Sequence, residues 1–304
     1  MLAALAPIVN APATYAFVVV FGLVWGSFAN VCIYRWPPTD DHPDGHSVVH
    51  PGSHCGACQA PIKWYDNVPI LSYLWLRGRC RACGVGFSPR YLIVEAVTGA
   101  LFGVAWWFTM GTGGYGTSLD HALVRFAIDA AFVFVMVVIT FIDLDHKLIL
   151  DKVTLPSIAV FYAATFALPG VPWWRGLAGA AIGYGVVWVI GAIYHAITKR
   201  DGLGLGDGKL LAVVGALMGW RGVVFALFGG SLAGSVIGTI ALVVSRRRAP
   251  AEPPPVAGDE DASAPKPPSM LRVELPFGPF LAVAALFYLF AEPWIWLNLH
   301  LPGE

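Results

Sequence analysis

Asp207 lies in the run Gly202-Leu203-Gly204-Leu205-Gly206-Asp207-Gly208-Lys209, between two long apolar stretches of the chain. A carboxylate at membrane depth is costly to keep charged and marks a functional position by default. The glycines around it remove side-chain bulk, so another polypeptide can come close to its backbone. A second acidic run, Phe141-Ile142-Asp143-Leu144-Asp145, ends another apolar stretch. Two carboxylates meeting at one membrane face can share a proton. The ionised one takes a proton from water while the protonated one donates to a carbonyl oxygen. That is the chemistry of peptide-bond hydrolysis.

Position narrows the partner of Asp207 without choosing it. Asp129 precedes Asp143 by 14 residues, about 21 Å along a helix axis, too far to share a site with it. Asp143 is nearest the membrane, which favours it weakly, and Asp145 and Asp151 stay open. Asp151 suits an N-cap or the first turn of the next helix; Asp145, beside His146 and Lys147, reads as an exposed loop residue. Lys209 is placed either to offset Asp207 or to reach lipid headgroups. The glycine run is not a phosphate loop, because no strand precedes it and no Gly-Lys-Ser/Thr ends it.

A separate chemistry is written in cysteines. Cys55-Gly56-Ala57-Cys58 and Cys80-Arg81-Ala82-Cys83 form two C-x2-C pairs separated by 21 residues, about one beyond the usual spacing of paired zinc knuckles. Gly56 and Gly84 are placed to let each turn reverse. Four thiolates around one Zn²⁺ make a closed, structural site with no position left for water. Cys32 falls inside an apolar span and reads as a packed small hydrophobe. His42, His46, His50 and His54 precede the knuckles as a solvated loop. Arg77, Arg79 and Arg81 suit headgroups better than nucleic acid.

The elements that must hold these residues are membrane helices. The 304 residues are 57% hydrophobic and 12% charged, with zero net charge. Soluble domains carry roughly twice that charged fraction, and zero net charge gives no global field to attract nucleic acid. Apolar runs at about 15–34, 89–109, 122–142, 153–169, 176–197, 208–220, 222–245 and 277–299 predict eight spans. The 208–220 run is short and bears glycine, as a broken helix lining a site would. The first span lacks the flanks of a cleavable signal and is expected to be retained.

With the N-terminus outside, all of the 19 basic residues except Arg125, Arg175 and Arg221 face the cytoplasm. Asp143 and Asp207 then share the cytoplasmic face. The expected fold is all-α, a polytopic membrane protein of about eight helices with a small cytoplasmic zinc-ribbon-like insertion. Its parts are a first span (1–35), a four-cysteine zinc domain (36–88), a protease core (89–245), a basic, Pro-rich linker (246–276) and a last span (277–304). The linker composition cannot bury a core, and Arg246-Arg247-Arg248 anchors the preceding span at anionic lipid. The 111–116 turn shows no chemistry.

Several motifs in order resemble the bacterial type IV prepilin peptidases, which share Gly-x-Gly-Asp with presenilin-like proteases. Gly26-Ser27-Phe28-Ala29-Asn30-Val31-Cys32-Ile33-Tyr34-Arg35 is similar to the family's first span. Asn67-Val68-Pro69-Ile70-Leu71-Ser72-Tyr73-Leu74 and Arg77-Gly78-Arg79-Cys80-Arg81-Ala82-Cys83 resemble its cytoplasmic domain. Ser88-Pro89-Arg90-Tyr91-Leu92-Ile93-Val94-Glu95 resembles the start of its second span. The resemblance implies that Asp143 and Asp207 are the catalytic pair, in the inner membrane of a bacterium. It implies cleavage of the basic leader of prepilins or pseudopilins after a glycine, then N-methylation of the new terminus, commonly phenylalanine, from S-adenosylmethionine. Asn30, Arg35 and Glu95 are candidates for the methyl-donor site, each also explicable by packing, anchoring or a helix terminus. The chain departs from the pattern at Ile149-Leu150-Asp151, where the family has Leu-Pro-Asp, and at Gly56, where it has proline. A cation-coupled transporter or channel built on the acidic pair is the rival reading, and it predicts ion flux without cleavage.

Overall fold

A computed structural model describes residues 7–111, 118–199, 204–248 and 276–299. The linker expected over 246–276 falls almost wholly outside these residues, as do Gly202 and Leu203 and nearly all of the 111–116 turn. The described chain is helical, with three isolated β-bridges. Its helices are α1 (Pro12–Arg35), the short α2 (Leu71–Trp75), α3 (Arg90–Trp106), α4 (Leu119–His146), α5 (Asp151–Thr165), α6 (Trp173–Thr198), α7 (Leu205–Arg248) and α8 (Gly278–Leu299).

Five helices are long and apolar enough to cross a membrane: α1, α3 with its following π turn, α4, α6 and α7. α5 has 15 residues, and the apolar part of α8, Gly278–Glu292, is also short of a full span. The expected boundary between the runs at 208–220 and 222–245 is a break inside α7. Gly219 sits at φ 71° and ψ −171°, a left-handed φ that glycine adopts without a Cβ penalty. It divides α7 into limbs 205–218 and 220–248.

Helices apolar all round have no polar face to bury, so small residues set where they touch. α6 meets the first limb of α7 along Gly176, Gly179 and Gly183. A Cβ on Gly179 would lie 2.3 Å from the Gly215 carbonyl oxygen, and one on Gly183 would lie 2.4 Å from that of Leu211. α1 meets α3 along a like seam, where a Cβ on Gly26 would lie 2.7 Å from the Glu95 Cα. The α6–α7 seam holds the limb that begins with Asp207. Gly215→Val would place its Cβ 2.2 Å from the Gly179 oxygen, so we expect about 1–3 kcal/mol of overpacking. A lowered thermal midpoint checks this, and Gly185→Ala, with open space around it, is the control.

Contacts gather one set of helix termini at one end of the bundle. Arg90 at the start of α3 reaches Asp145 and the Phe141 carbonyl oxygen at the end of α4. Lys209 in α7 pairs with Asp151 at the start of α5. Lys152 donates to the Asp44 carbonyl oxygen at 2.7 Å, and Arg35 at the end of α1 donates to that of Ser47 at 2.9 Å. The polar segment 36–88 therefore sits at this same end.

Candidate active site

Asp143 occupies the last turn of α4. The helix stops just beyond it, at left-handed Lys147, whose N–H returns to the Asp143 carbonyl oxygen at 2.8 Å. Asp207 enters from the opposite direction, in the first turn of α7, with its N–H on the Gly204 carbonyl oxygen at 3.1 Å. The Asp143 side chain is buried and Asp207 is half-buried. Asp143 lies within Coulombic range of Asp207. The two side chains thus lie at one end of the bundle, on the last turn of one helix and the first turn of another.

Two residues to which motif reading gave no role complete the surroundings. Ile149, in the turn after α4, stands 3.1 Å from a Cβ built on Gly206 and 3.3 Å from one built on Gly278. It therefore touches both the Asp207 turn and the start of α8. The Gly278 amide faces the Asp143 carboxyl, and a Cβ there would lie 2.5 Å from Oδ2. That Oδ2 is buried and accepts no hydrogen bond from the described residues. A buried carboxylate oxygen without a donor is costly, and a water or a protonated neighbour would satisfy it. Pro276-Phe277-Gly278-Pro279 was the available signal, a Gly between prolines at a helix start.

The other acidic candidates have different partners. Asp145 is not in a loop: α4 extends through it, and Arg90 engages it. Asp151 is the first residue of α5, exposed and paired with Lys209. Lys209 therefore takes neither of the two expected roles in this structure. Asp129 lies deep in the bundle, on Arg125 at 2.9 Å. The missing proline at 150 leaves no backbone trace, because Leu150 keeps φ −78°, within proline's range. Of the glycines, Gly206 faces Ile149 and Gly208 faces Tyr184 and Val187, while Gly204 is open.

The four cysteines come together as the spacing required. Their sulfurs all lie within 4.8 Å of one another, and those of Cys55 and Cys83 are 3.8 Å apart. The two knuckles repeat one hydrogen-bond pattern: Cys55 N–H to the Ala60 oxygen at 2.9 Å, and Cys80 N–H to the Val85 oxygen at 2.8 Å. The left-handed residues are Gln59 and Gly84. Gly56 is not one of them, so the expected reversal there belongs to Gln59 instead. Backbone N–H groups of Cys58 and Ala57 hold the Cys55 thiol down to about 6. Cys83, despite an N–H from Val85, is pushed up to about 11 by desolvation and the neighbouring sulfurs. Four crowded thiols cannot all ionise unless a cation compensates them.

Between this domain and the ends of α1 and α3 lies a cavity of about 440 Å³. Asn30, Arg35 and Glu95 all line it, with Tyr73, Tyr91 and Asp66. Each of the three candidates also ties elements together. Asn30 Nδ2 donates to the Tyr91 carbonyl oxygen at 3.0 Å, and Glu95 Oε2 accepts from Ile70 N–H at 2.8 Å. Arg35 holds the oxygens of Ser47 and Gly52. Arg81 does not point to headgroups alone: it grips Asp66 at 2.6 Å and holds that carboxyl below the usual range.

Comparison with known proteins agrees with both halves of this arrangement. Residues 20–109 match the bacterial peptidase A24 N-terminal domain, and 130–239 match the type IV leader peptidase family. A prepilin leader peptidase/N-methyltransferase of Aeromonas salmonicida is 34% identical over 291 residues, covering 89% of this chain and 88% of that protein. Its counterpart in Neisseria gonorrhoeae is 36% identical, covering 78% and 84%. The one in Myxococcus xanthus is 31% identical, covering 93% and 92%. No solved structure matches. With its two carboxyls gathered at the ends of α4 and α7, beside a four-cysteine domain, the chain belongs to the type IV leader peptidase family.

Proposed function

We propose that this protein is a membrane aspartic endopeptidase that removes the basic leader of prepilins or pseudopilins and then methylates the new N-terminus. The observation that carries the proposal is the meeting of Asp143 and Asp207 at the end of the bundle that also holds the polar segment. The charge distribution makes that end cytoplasmic, in a bacterial inner membrane, where a basic leader stays. The proposal keeps the eight crossings read from the sequence, with α5, α8 and each limb of α7 taken as one crossing apiece and both chain ends outside. The domain limits read from the sequence are retained on the same basis.

Asp143 and Asp207 would share one proton. One carboxylate takes a proton from water as the other donates to the scissile carbonyl oxygen, and the pair returns to its starting state when the amine leaves. Burial of Asp143 excludes bulk water, and its Oδ2, which accepts no hydrogen bond from the described residues, would accept one from the attacking water. The cation-pathway reading has nothing to favour it, since both matched family models are of peptidases.

Cys55, Cys58, Cys80 and Cys83 would hold a structural Zn²⁺. A tetrahedron with Zn–S of about 2.3 Å has edges of about 3.8 Å, the distance between the Cys55 and Cys83 sulfurs. The cavity would take S-adenosylmethionine, which supplies an electrophilic methyl group when bound. Its size suits a drug-sized ligand, and the Glu95 carboxyl suits a sulfonium cation. Val31→Trp, which fills this cavity, is expected to abolish methylation while cleavage continues; the masses of the products decide. The whole proposal is tested by incubating purified protein with a synthetic prepilin peptide and S-adenosylmethionine. A shortened peptide one methyl heavier supports it, and an intact peptide overturns it.

A further inference from the structure

The three arginines that the charge count left on the outer side are not loop residues. Arg125 and Arg175 enter a buried ionic cluster at the end of the bundle remote from the aspartates. Arg125 binds Asp129 at 2.9 Å and approaches Glu292 at 3.8 Å. Arg175 binds Glu292 at 2.9 Å and the Met218 carbonyl oxygen, just before the Gly219 break, at 3.0 Å. Arg221 rests over the Trp220 ring. Glu292 of α8 thus sits between α4 and α6, beside the break in α7, and none of these charges takes part in hydrolysis.

The spacing along two helices gives the cluster a purpose. α4 and α8 run antiparallel and touch at both ends. Gly278 of α8 faces Asp143 of α4, and Glu292 of α8 meets the Arg125–Asp129 pair of α4. Gly278 to Glu292 and Asp129 to Asp143 are each 14 residues apart, about 21 Å of helix. The two helices are therefore pinned in one axial register by a contact at each end.

Between the pins, α8 lies on small residues of α7. Gly229 faces Ala284, Gly230 faces Leu281 and Gly234 faces Phe280. A surface of glycines offers few ridges against sliding, whereas a buried ion pair fixes register well. One residue of slip is about 1.5 Å, enough to carry the Gly278 amide away from the Asp143 carboxyl or drive its backbone into it.

We propose that Glu292, held by Arg125 and Arg175, is a positioning residue for cleavage, setting through α8 the place of Gly278 and hence of the Asp143 carboxyl. The proposal rests on the peptidase reading and deepens it. The test uses the full chain in lipid nanodiscs and compares wild type, Glu292→Gln, Glu292→Asp and Gly278→Ala. Three readouts are taken: kcat and KM for leader removal, methylation of an already cleaved pilin peptide, and the thermal midpoint. Glu292→Gln and Gly278→Ala are expected to lower kcat many-fold at nearly constant KM, with methylation kept. Glu292→Asp, which retains the charge, is expected to recover part of the loss.

Cleavage and methylation falling together with the thermal midpoint would mean a general structural role and overturn the proposal. Unchanged kcat in Glu292→Gln would also overturn it. An inactive wild type would instead remove the peptidase reading on which it rests.

Discussion

Asp207→Asn is expected to abolish leader removal while the protein stays in the membrane with its cysteine domain intact. Asparagine keeps the shape of aspartate but can neither accept the proton of the attacking water nor share one with Asp143. Loss of a general acid or base lowers the rate on the order of 10²–10⁴-fold, and here one substitution disables both members. Asp143→Asn should therefore cost about as much, and the double variant little more, as expected of groups that act as one unit. Among the described residues, Asp145 and Asp151 pair with Arg90 and Lys209 and not with the catalytic pair. Asp145→Asn and Asp151→Asn are expected to cleave at near wild-type rates, which time courses of peptide cleavage by the four single variants will check.

Removing the metal is expected to have the second largest effect, confined to the other half of the protein. The 36–88 segment contains a five-residue helix and a three-residue turn of 3₁₀ helix. Apart from Cys55 and Pro37, none of its apolar residues is buried, so it has no core of its own. Structural zinc sites contribute folding free energy on the order of 10 kcal/mol, which such a segment cannot replace. Cys55→Ser with Cys80→Ser should lose one zinc per chain and open 36–88 to proteolysis. Methylation should go with it, because the cavity has this segment as one wall. Asp143 and Asp207 lie on α4 and α7, so leader cleavage is expected to survive. Metal analysis, limited proteolysis and product masses together check all three effects.

Much of this was legible in the sequence. The helices lie close to the apolar runs, and the run at 208–220 was set apart as short and glycine-bearing, though nothing singled out Gly219, which breaks α7. Charge placement brought Asp143 and Asp207 to one face, and the C-x2-C pairs announced the cysteine cluster. Faces were harder to read. A helix that is apolar all round has no polar stripe to mark its buried side. The Gly22/Gly26, Gly99/Gly103, Gly179/Gly183 and Gly215/Gly219 spacings were present but did not say which helix meets which.

Long-range partners were hidden for a different reason. Ile149 and Gly278 carry no chemistry of their own, and they matter only because the fold brings them beside Asp143 and Asp207. The arginines at 125 and 175 were counted as outer-side charge, and only the position of Glu292 shows them buried in an ion cluster. Asp145 was misplaced for want of a stop signal: Lys147 adopts the left-handed cap that a glycine would have advertised.

The central claim is that Asp143 and Asp207 together direct water onto one peptide bond. Its most direct test is a single-turnover reaction of purified protein with a prepilin peptide in heavy-oxygen water, followed by mass measurement of both the leader and the protein. The account predicts one heavy oxygen in the new carboxylate of the leader, no peptide bound covalently to the protein at any time, and no leader released by Asp143→Asn or Asp207→Asn. A covalent acyl-enzyme, or leader release by either Asn variant, would contradict it.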